Sequence, residues 1–290
     1  MSPVDADRLS RLLDTPVASI TAVGGGDVCQ ARRARLADGR TLFVKTRTGA
    51  PPGFFATEAR GLALLAGARD GVPVPEVHAT DAECLVLDWI PTGAPSARAA
   101  ERFGRALAAT HRHGPAQFGT GADAWIATLT LPGGRWDSWP EFWGAARLEP
   151  FLRAARKAGS IDKRDAADVE RVLVELPGLA GPAEQPALVH GDLWAGNVLW
   201  GADGVNSVVD PAAHGGHRET DLAMLALFGL PHLERVLAAY HEAWPLADGW
   251  RERVALHQLH PVLVHAVMFG GSYGAQAGRL ARTALRVAWR

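Results

Sequence analysis

Asp192 and Asn197 stand five residues apart inside Leu188–Trp200, LVHGDLWAGNVLW, with His190 and Gly191 just before the aspartate. Apolar runs flank the cluster, so it reads as two strand-like pieces around a polar hairpin that carries an imidazole, a carboxylate and a carboxamide. A D-x-x-x-x-N spacing lets one short loop aim both side chains into one cleft. Phosphoryl transfer from ATP needs such a set: a carboxylate near the acceptor hydroxyl, oxygen ligands for Mg²⁺, and cations on the phosphates. Asp210 ends the next apolar run, SVVDP, thirteen residues after Asn197. Two short antiparallel strands would return it beside Asn197 as a second hard oxygen ligand. Taken singly, each of the three is more ordinarily a turn or strand-end residue. Their order, strand–loop–strand, is what favours chemistry.

Nucleotide-holding parts have candidates upstream. Gly24, Gly25 and Gly26 lie between strand patterns, where glycine lets backbone N–H groups approach phosphates. A plain hairpin turn fits that triplet equally well. Lys45 falls in a strand, LFVKT, and either points to solvent or serves as a phosphate cation. Glu58, thirteen residues on, falls on the following helix, an interval that suits strand–turn–helix and an ion pair orienting the lysine.

These residues need a scaffold. Leucines at helical spacing predict an opening helix over 3–15. Strand patterns follow at 20–23, 28–36 and 41–46, the last two joined by an Asp38-Gly39 turn. A helix is expected over 54–68, an extended proline-biased connector in VPVPEVHA, and a buried strand over 84–91. Ser96 is a candidate N-cap for a helix over 97–112. Residues 114–140, rich in Gly, Pro and Trp, read as an irregular loop. Helices are expected at 140–157, at 162–176 and from 218 onward, the last broken at Pro231, Pro245 and Gly270-Gly271. The organisation is α+β: a small β-rich N-terminal lobe over 1–88 and a larger, mainly helical lobe over 89–290.

Composition narrows the class. The chain has 290 residues, 48% hydrophobic and 21% charged, with net charge −1 from 30 basic and 31 acidic residues. That balance does not predict a nucleic-acid partner, and the arginines are spread along the chain. The N-terminus lacks the apolar core of a secretory signal, and HPVLVHAVMFGG is too short and histidine-rich to span a bilayer. Two cysteines, Cys29 and Cys84, do not make a disulfide framework, and a reduced cytoplasmic protein is expected.

GGGDVCQA, VKT, ATEARGLALL, HGDLWAGN, VVDPAAHGGHRETDLAMLALFG and MFGGSYG occur in this order. Together they resemble the fructosamine-3-kinase (ketosamine-3-kinase) family, within the wider group of kinase-like small-molecule phosphotransferases. The HGD…N core is common to that group, whereas HGDLWxGN with Asp-Pro and the late FGG is particular to the fructosamine kinases. The resemblance runs from about residue 18 to 285. It implies a protein-kinase-like bilobal fold and ATP- and Mg²⁺-dependent phosphorylation of the 3-hydroxyl of a fructosamine or ribulosamine, free or protein-bound. The family's product is unstable and releases the amine, so the implied role is deglycation repair.

By the same resemblance Asp192 is the catalytic base, Asn197 and Asp210 hold Mg²⁺, and Lys45 with Glu58 serves the nucleotide behind the glycine loop. Asp88, Trp89 and Ile90 form the hinge that meets adenine. His190 braces the loop, Asp221 ties its backbone, and Trp194 offers a flat face to the substrate unless it is a core wedge. The glycine loop departs from the family where Cys29 replaces Ser or Asn, and Asp27 stands where some relatives carry a redox-active cysteine. TRTGAPPG after Lys45 is richer in Pro and Gly than expected and reads as a mobile loop facing the cleft.

His257, His260 and His265 have spacings unsuited to a zinc site and read as packing residues or as acceptor-pocket lining. This late region is not acidic, which argues against a polycationic aminoglycoside as acceptor. Two other readings stay open: a kinase of another small sugar or amino alcohol, and an inactive nucleotide-binding pseudokinase. Oligomeric state is not readable.

Overall fold

The structure, a computed structural model, describes residues 5–24 and 28–287. Helix α1 (Ala6–Leu13) is started by Asp5, whose carboxylate accepts the Arg8 amide at 2.8 Å. It covers one face of an antiparallel sheet built from β1 (Val17–Ala22), β2 (Gln30–Leu36), β3 (Thr41–Thr46), β4 (Val77–Thr80) and β5 (Cys84–Asp88), in the order β1-β2-β3-β5-β4. Helix α2 (Phe54–Ala66) covers the other face. Period two in β3 decides where Lys45 goes: Leu42 and Val44 pack with Leu9 under α1, so Phe43 and Lys45 point to the α2 side. The Asp38-Gly39 turn forms as expected, with Gly39 at φ +91°. The proline-biased connector contains β4, which pairs only with β5 and so occupies a sheet edge, where preceding prolines cost no ladder bond.

Helix α3 (Ala97–Arg112) begins at Ser96, whose hydroxyl accepts the Ala99 amide at 3.2 Å. The stretch expected to be irregular folds into a hairpin, β6 (Ala124–Ile126) and β7 (Leu129–Leu131). Helix α4 (Trp139–Phe142) passes through a wide π-helical turn at Trp143–Leu148 into α5 (Glu149–Ala158), and α6 (Lys163–Leu179) follows. Then come β8 (Ala187–Val189), β9 (Val198–Trp200), β10 (Asn206–Val208) and β11 (His214–Gly216). Strands β8 and β9 do not form the expected hairpin: β8 pairs with β11 and β9 with β10. The polar stretch between them is therefore an open loop supported by two separate ribbons. Helices α7 (Arg218–Leu227), α8 (Leu233–Ala243), α9 (Trp250–Phe269) and α10 (Tyr273–Val287) complete the body.

Gly104 brings α3 against α8. A Cβ there would stand 2.2 Å from the Val236 carbonyl oxygen and 3.1 Å from the Tyr240 nitrogen. That approach lets Tyr240 meet His111 across the helix pair at 2.8 Å. Gly104→Ala must push backbone from backbone, and a loss of about 1–3 kcal/mol is expected. Urea denaturation of the variant and wild type measures it.

Candidate active site

Lys45 Nζ lies 2.9 and 2.8 Å from the two carboxylate oxygens of Glu58 and 2.9 Å from Asp210 Oδ1. Glu58 stands on the second turn of α2. Asp210 follows β10 with its backbone at φ +58°, a left-handed conformation that turns the chain at the strand end. The Lys45 and Glu58 side chains are 10% and 11% exposed, whereas Asp210 is 44% exposed and keeps a face open to the cleft. Burial works against the ammonium, but the Glu58 and Asp210 carboxylates outweigh it and raise Lys45 above its ordinary value. Burial raises the Glu58 carboxyl in turn, against the pull of Lys45.

The loop after β8 is held by its own backbone. Asp221, in the first turn of α7, accepts the His190 amide at 2.7 Å and the Gly191 amide at 3.0 Å. His111 braces the same carboxylate at 3.1 Å and meets the Tyr240 hydroxyl through its other nitrogen. Burial disfavours the Asp221 charge, yet the His111, His190 and amide contacts hold its carboxyl below the ordinary range. His190 Nε2 donates to the Val209 carbonyl at 2.9 Å, which leaves Nδ1 to accept the Asp192 amide at 3.2 Å. One imidazole thus joins the loop to the segment that carries Asp210.

Asn197 Nδ2 donates to the Asp192 carbonyl at 2.8 Å and to Asp192 Oδ2 at 3.3 Å, so both of its donor contacts are directed at Asp192. The Val209 amide donates to the Asn197 carbonyl at 3.1 Å, which places Asp210 one residue from that contact. Burial, and then the nearby Asp210 charge, push the Asp192 carboxyl up to about 7. Trp194 lies over Gly196, where a Cβ would stand 2.2 Å from its ring, and it is 39% exposed.

A cavity of about 490 Å³ joins these groups. Lys45, Glu58, Asp192, Asn197 and Asp210 line its polar end. Trp194, Phe228, Val264, His265, Met268 and Phe269 line the apolar end, and Trp125, Ile126 and Ala127 of the hairpin β6–β7 form a third side. Among the described residues no carboxylate stands at the apolar end. His265 donates from Nδ1 to the Pro261 carbonyl at 2.7 Å and packs against Phe228 at 5.2 Å. His257 and His260 are buried among Trp139, Trp143 and Phe151, so packing explains them. His257 also lies near His217 and Glu219, but Arg253 binds Glu219 at 2.7 and 2.9 Å and supplies the cation there.

Not every candidate residue reaches this cavity. Gly24 does not line it, and Gly25 and Gly26, with Asp27, lie outside the described residues. Asp88, Trp89 and Ile90 do not line it either. The Asp88 carboxylate turns to His78 Nε2 at 2.7 Å and the Glu76 amide at 3.2 Å, and Trp89 packs under Arg33 at 4.8 Å. Both cysteines are free. Cys29 is half-buried at the cavity edge with its thiol raised by burial, and burial pushes Cys84 up to about 12. The segment expected to be a mobile loop is tied to Glu83, whose carbonyl accepts the Arg47 amide and whose carboxylate accepts the Gly49 amide. Trp125 is not singled out by the sequence, and Phe228 and Phe269 stand there only inside motifs, with no place in the cleft. Their signal, large aromatics left half-buried or exposed, exists only in the folded chain.

The profile of the fructosamine kinase family matches residues 1–287. A probable ketoamine kinase of Synechocystis sp. is 36% identical, over 97% of this chain and 96% of its own length. The crystal structure of a candidate fructosamine-3-kinase from Thermobifida fusca superposes with a TM-score of 0.92 at 47% identity, covering 97% of this chain and 98% of that one. A thermostable aminoglycoside phosphotransferase is 18% identical with a TM-score of 0.65, over 98% of this chain and 99% of that one. That last likeness concerns the fold alone: the β-rich sheet followed by a helical body is the arrangement of the protein-kinase-like phosphotransferases.

Proposed function

The chain belongs to the fructosamine kinase family, and from that premise we propose that it transfers the γ-phosphoryl group of ATP to the 3-hydroxyl of a ketosamine. The observation that carries the reading is one cavity with two different ends. Lys45, Asp192, Asn197 and Asp210 converge at the first, and an aromatic wall, free of carboxylates among the described residues, stands at the second. Such a wall suits a sugar-bearing amine on a carbon chain better than a polycation.

Each residue then has a role in the reaction. Asp192 accepts the 3-hydroxyl proton at Oδ1, since Asn197 contacts Oδ2. The acceptor oxygen forms its bond to the γ-phosphorus as the bond to the β-phosphate bridging oxygen breaks. A carboxyl raised toward 7 suits this work near neutral pH. Lys45, oriented by Glu58, meets the phosphates. Asp210 and the carboxamide oxygen of Asn197 are hard oxygen donors that fit Mg²⁺, an ion that takes one or two such protein ligands beside substrate phosphates. When bound, that ion supplies positive charge to the β- and γ-phosphate oxygens. The phosphate role of Gly24, Gly25 and Gly26 and the hinge role of Asp88, Trp89 and Ile90 at a lobe boundary of 88/89 rest on the family resemblance alone, since Gly24, Asp88, Trp89 and Ile90 do not line the cavity. His190 and Asp221 hold the loop, and Trp194 offers its face to the sugar or the amine-bearing chain. Release of the amine from the product gives a deglycation role, placed in the cytoplasm in keeping with two free thiols. Among the described residues no helix is long and apolar enough to cross a membrane.

ATP consumption with Mg²⁺ and a panel of ribulosyl-lysine, fructosyl-lysine, choline, an aminoglycoside and free ribose tests this. Turnover is expected only with the two ketosamines, and their ratio ranks ribulose against fructose. Turnover confined to another acceptor would keep the chemistry and remove the repair role.

A further inference from the structure

The hairpin β6–β7 supplies none of the charged groups, yet one of its side chains reaches across to α2 and the N-terminal sheet. Ala124, Ile126 and Leu131 are buried in the core of the helical body. Asp123 accepts the Gly133 amide at 2.7 Å and closes the hairpin base. A Cβ on Gly133 would stand 2.1 Å from the Ala122 carbonyl carbon, so the two arms touch there. With Ala124 and Ile126 facing the body, period two turns Trp125 the opposite way. Its ring meets Phe54 at 6.2 Å and 52°, and it packs on the cluster that contains Phe55, Leu62 and Leu85.

Phe54 is the first residue of α2, and Glu58 follows four residues later, one turn along the same face. No side chain caps the start of α2: Gly53 holds that place at φ +77°. The first turn is gripped from outside the helix instead, by the Trp125 ring and by the Arg47 guanidinium 4.9 Å over Phe54. Rotation of α2 about its axis moves Phe54 and Glu58 together. Trp125, Phe54 and Glu58 also line the same cavity.

We propose that Trp125 is a positioning residue: it braces α2 through Phe54, sets Glu58 against Lys45, and so couples the acceptor side of the cleft to nucleotide binding. This rests on the kinase reading above. An acceptor lying against Trp125 restrains the ring, the ring restrains the helix, and the helix orients the lysine. Coupling of this kind is reciprocal, so ATP tightens the acceptor side by the same factor.

The test is ATP affinity, titrated with Mg²⁺ and no acceptor, for wild type, Trp125→Ala, Trp125→Phe and each combined with Glu58→Gln. Loss of one aromatic contact predicts about three- to tenfold weaker ATP binding in Trp125→Ala. Trp125→Phe, which can still touch Phe54, restores most of it. In the Glu58→Gln background the Trp125→Ala effect disappears, because the helix no longer transmits anything to Lys45. Unchanged ATP affinity in Trp125→Ala, or the same loss with Glu58→Gln present, overturns the proposal. No acceptor enters the titration, so a wrong acceptor assignment leaves it intact. Failure of wild type to bind ATP would instead overturn the kinase reading itself.

Discussion

Asp192→Asn lowers kcat by about 10²–10⁴, the usual cost of losing a general base, while ATP affinity stays within about twofold. The substitution keeps size and shape and removes only the proton acceptor. The main-chain contacts that fix the loop do not depend on the carboxylate: Asn197 donates to the Asp192 carbonyl, and the Asp192 amide donates to His190. Lys45 keeps Glu58 and Asp210. Loss of a negative charge near Asp210 also relieves a repulsion, so nothing in the change weakens a phosphate. Single-turnover rates with a ketosamine, beside ATP titrations, separate the two quantities. An equal loss of ATP affinity would show that Asp192 holds the nucleotide.

What could be read before folding follows from period and order. Alternation in TLFVKT brings Lys45 to the α2 side, helical spacing puts Glu58 within reach, and β9–β10 return Asp210 toward Asn197. The strands that escaped notice have three or four residues, too few to display a period, and 114–140 hid a hairpin among Gly, Pro and Trp. The expected β8–β9 hairpin failed for a related reason. Sequence adjacency favours pairing of neighbours, but each strand found its partner further along, in β11 and β10. The tautomer of His190 and the joint role of Trp125 depend on contacts between distant segments. So does the aromatic wall: Phe228 and Phe269 occupy helical patterns in which a large apolar residue ordinarily belongs to the core, yet they are 44% and 54% exposed.

Asp221→Ala is expected to destabilise the fold by about 3–5 kcal/mol, the cost of breaking a buried charged cluster by removing one partner. At this chain length that corresponds to a drop in Tm on the order of 10 °C. The side chain is 1% exposed and serves three groups at once, the His190 and Gly191 amides and His111. Alanine leaves the buried His190 amide, the part-buried Gly191 amide and one imidazole without their acceptor. Asp221→Asn keeps one acceptor oxygen and turns an NH₂ toward a remaining donor, so its Tm falls between alanine and wild type. The sign of the pH dependence follows from the carboxyl being held low in the fold. A depressed folded-state value contributes stability above the unfolded value of about 3.9. That contribution is lost as pH falls through the folded value. The gap between wild type and Asp221→Asn should therefore be full at pH 7 and narrow below about pH 4. Thermal melts across that range measure it, and an alanine variant melting within about 2 °C of wild type at pH 7 would refute the assignment. Because the same carboxylate fixes the amides before Asp192, turnover should fall even in the folded fraction. A carboxylate that does not line the cleft then sets the geometry at its centre.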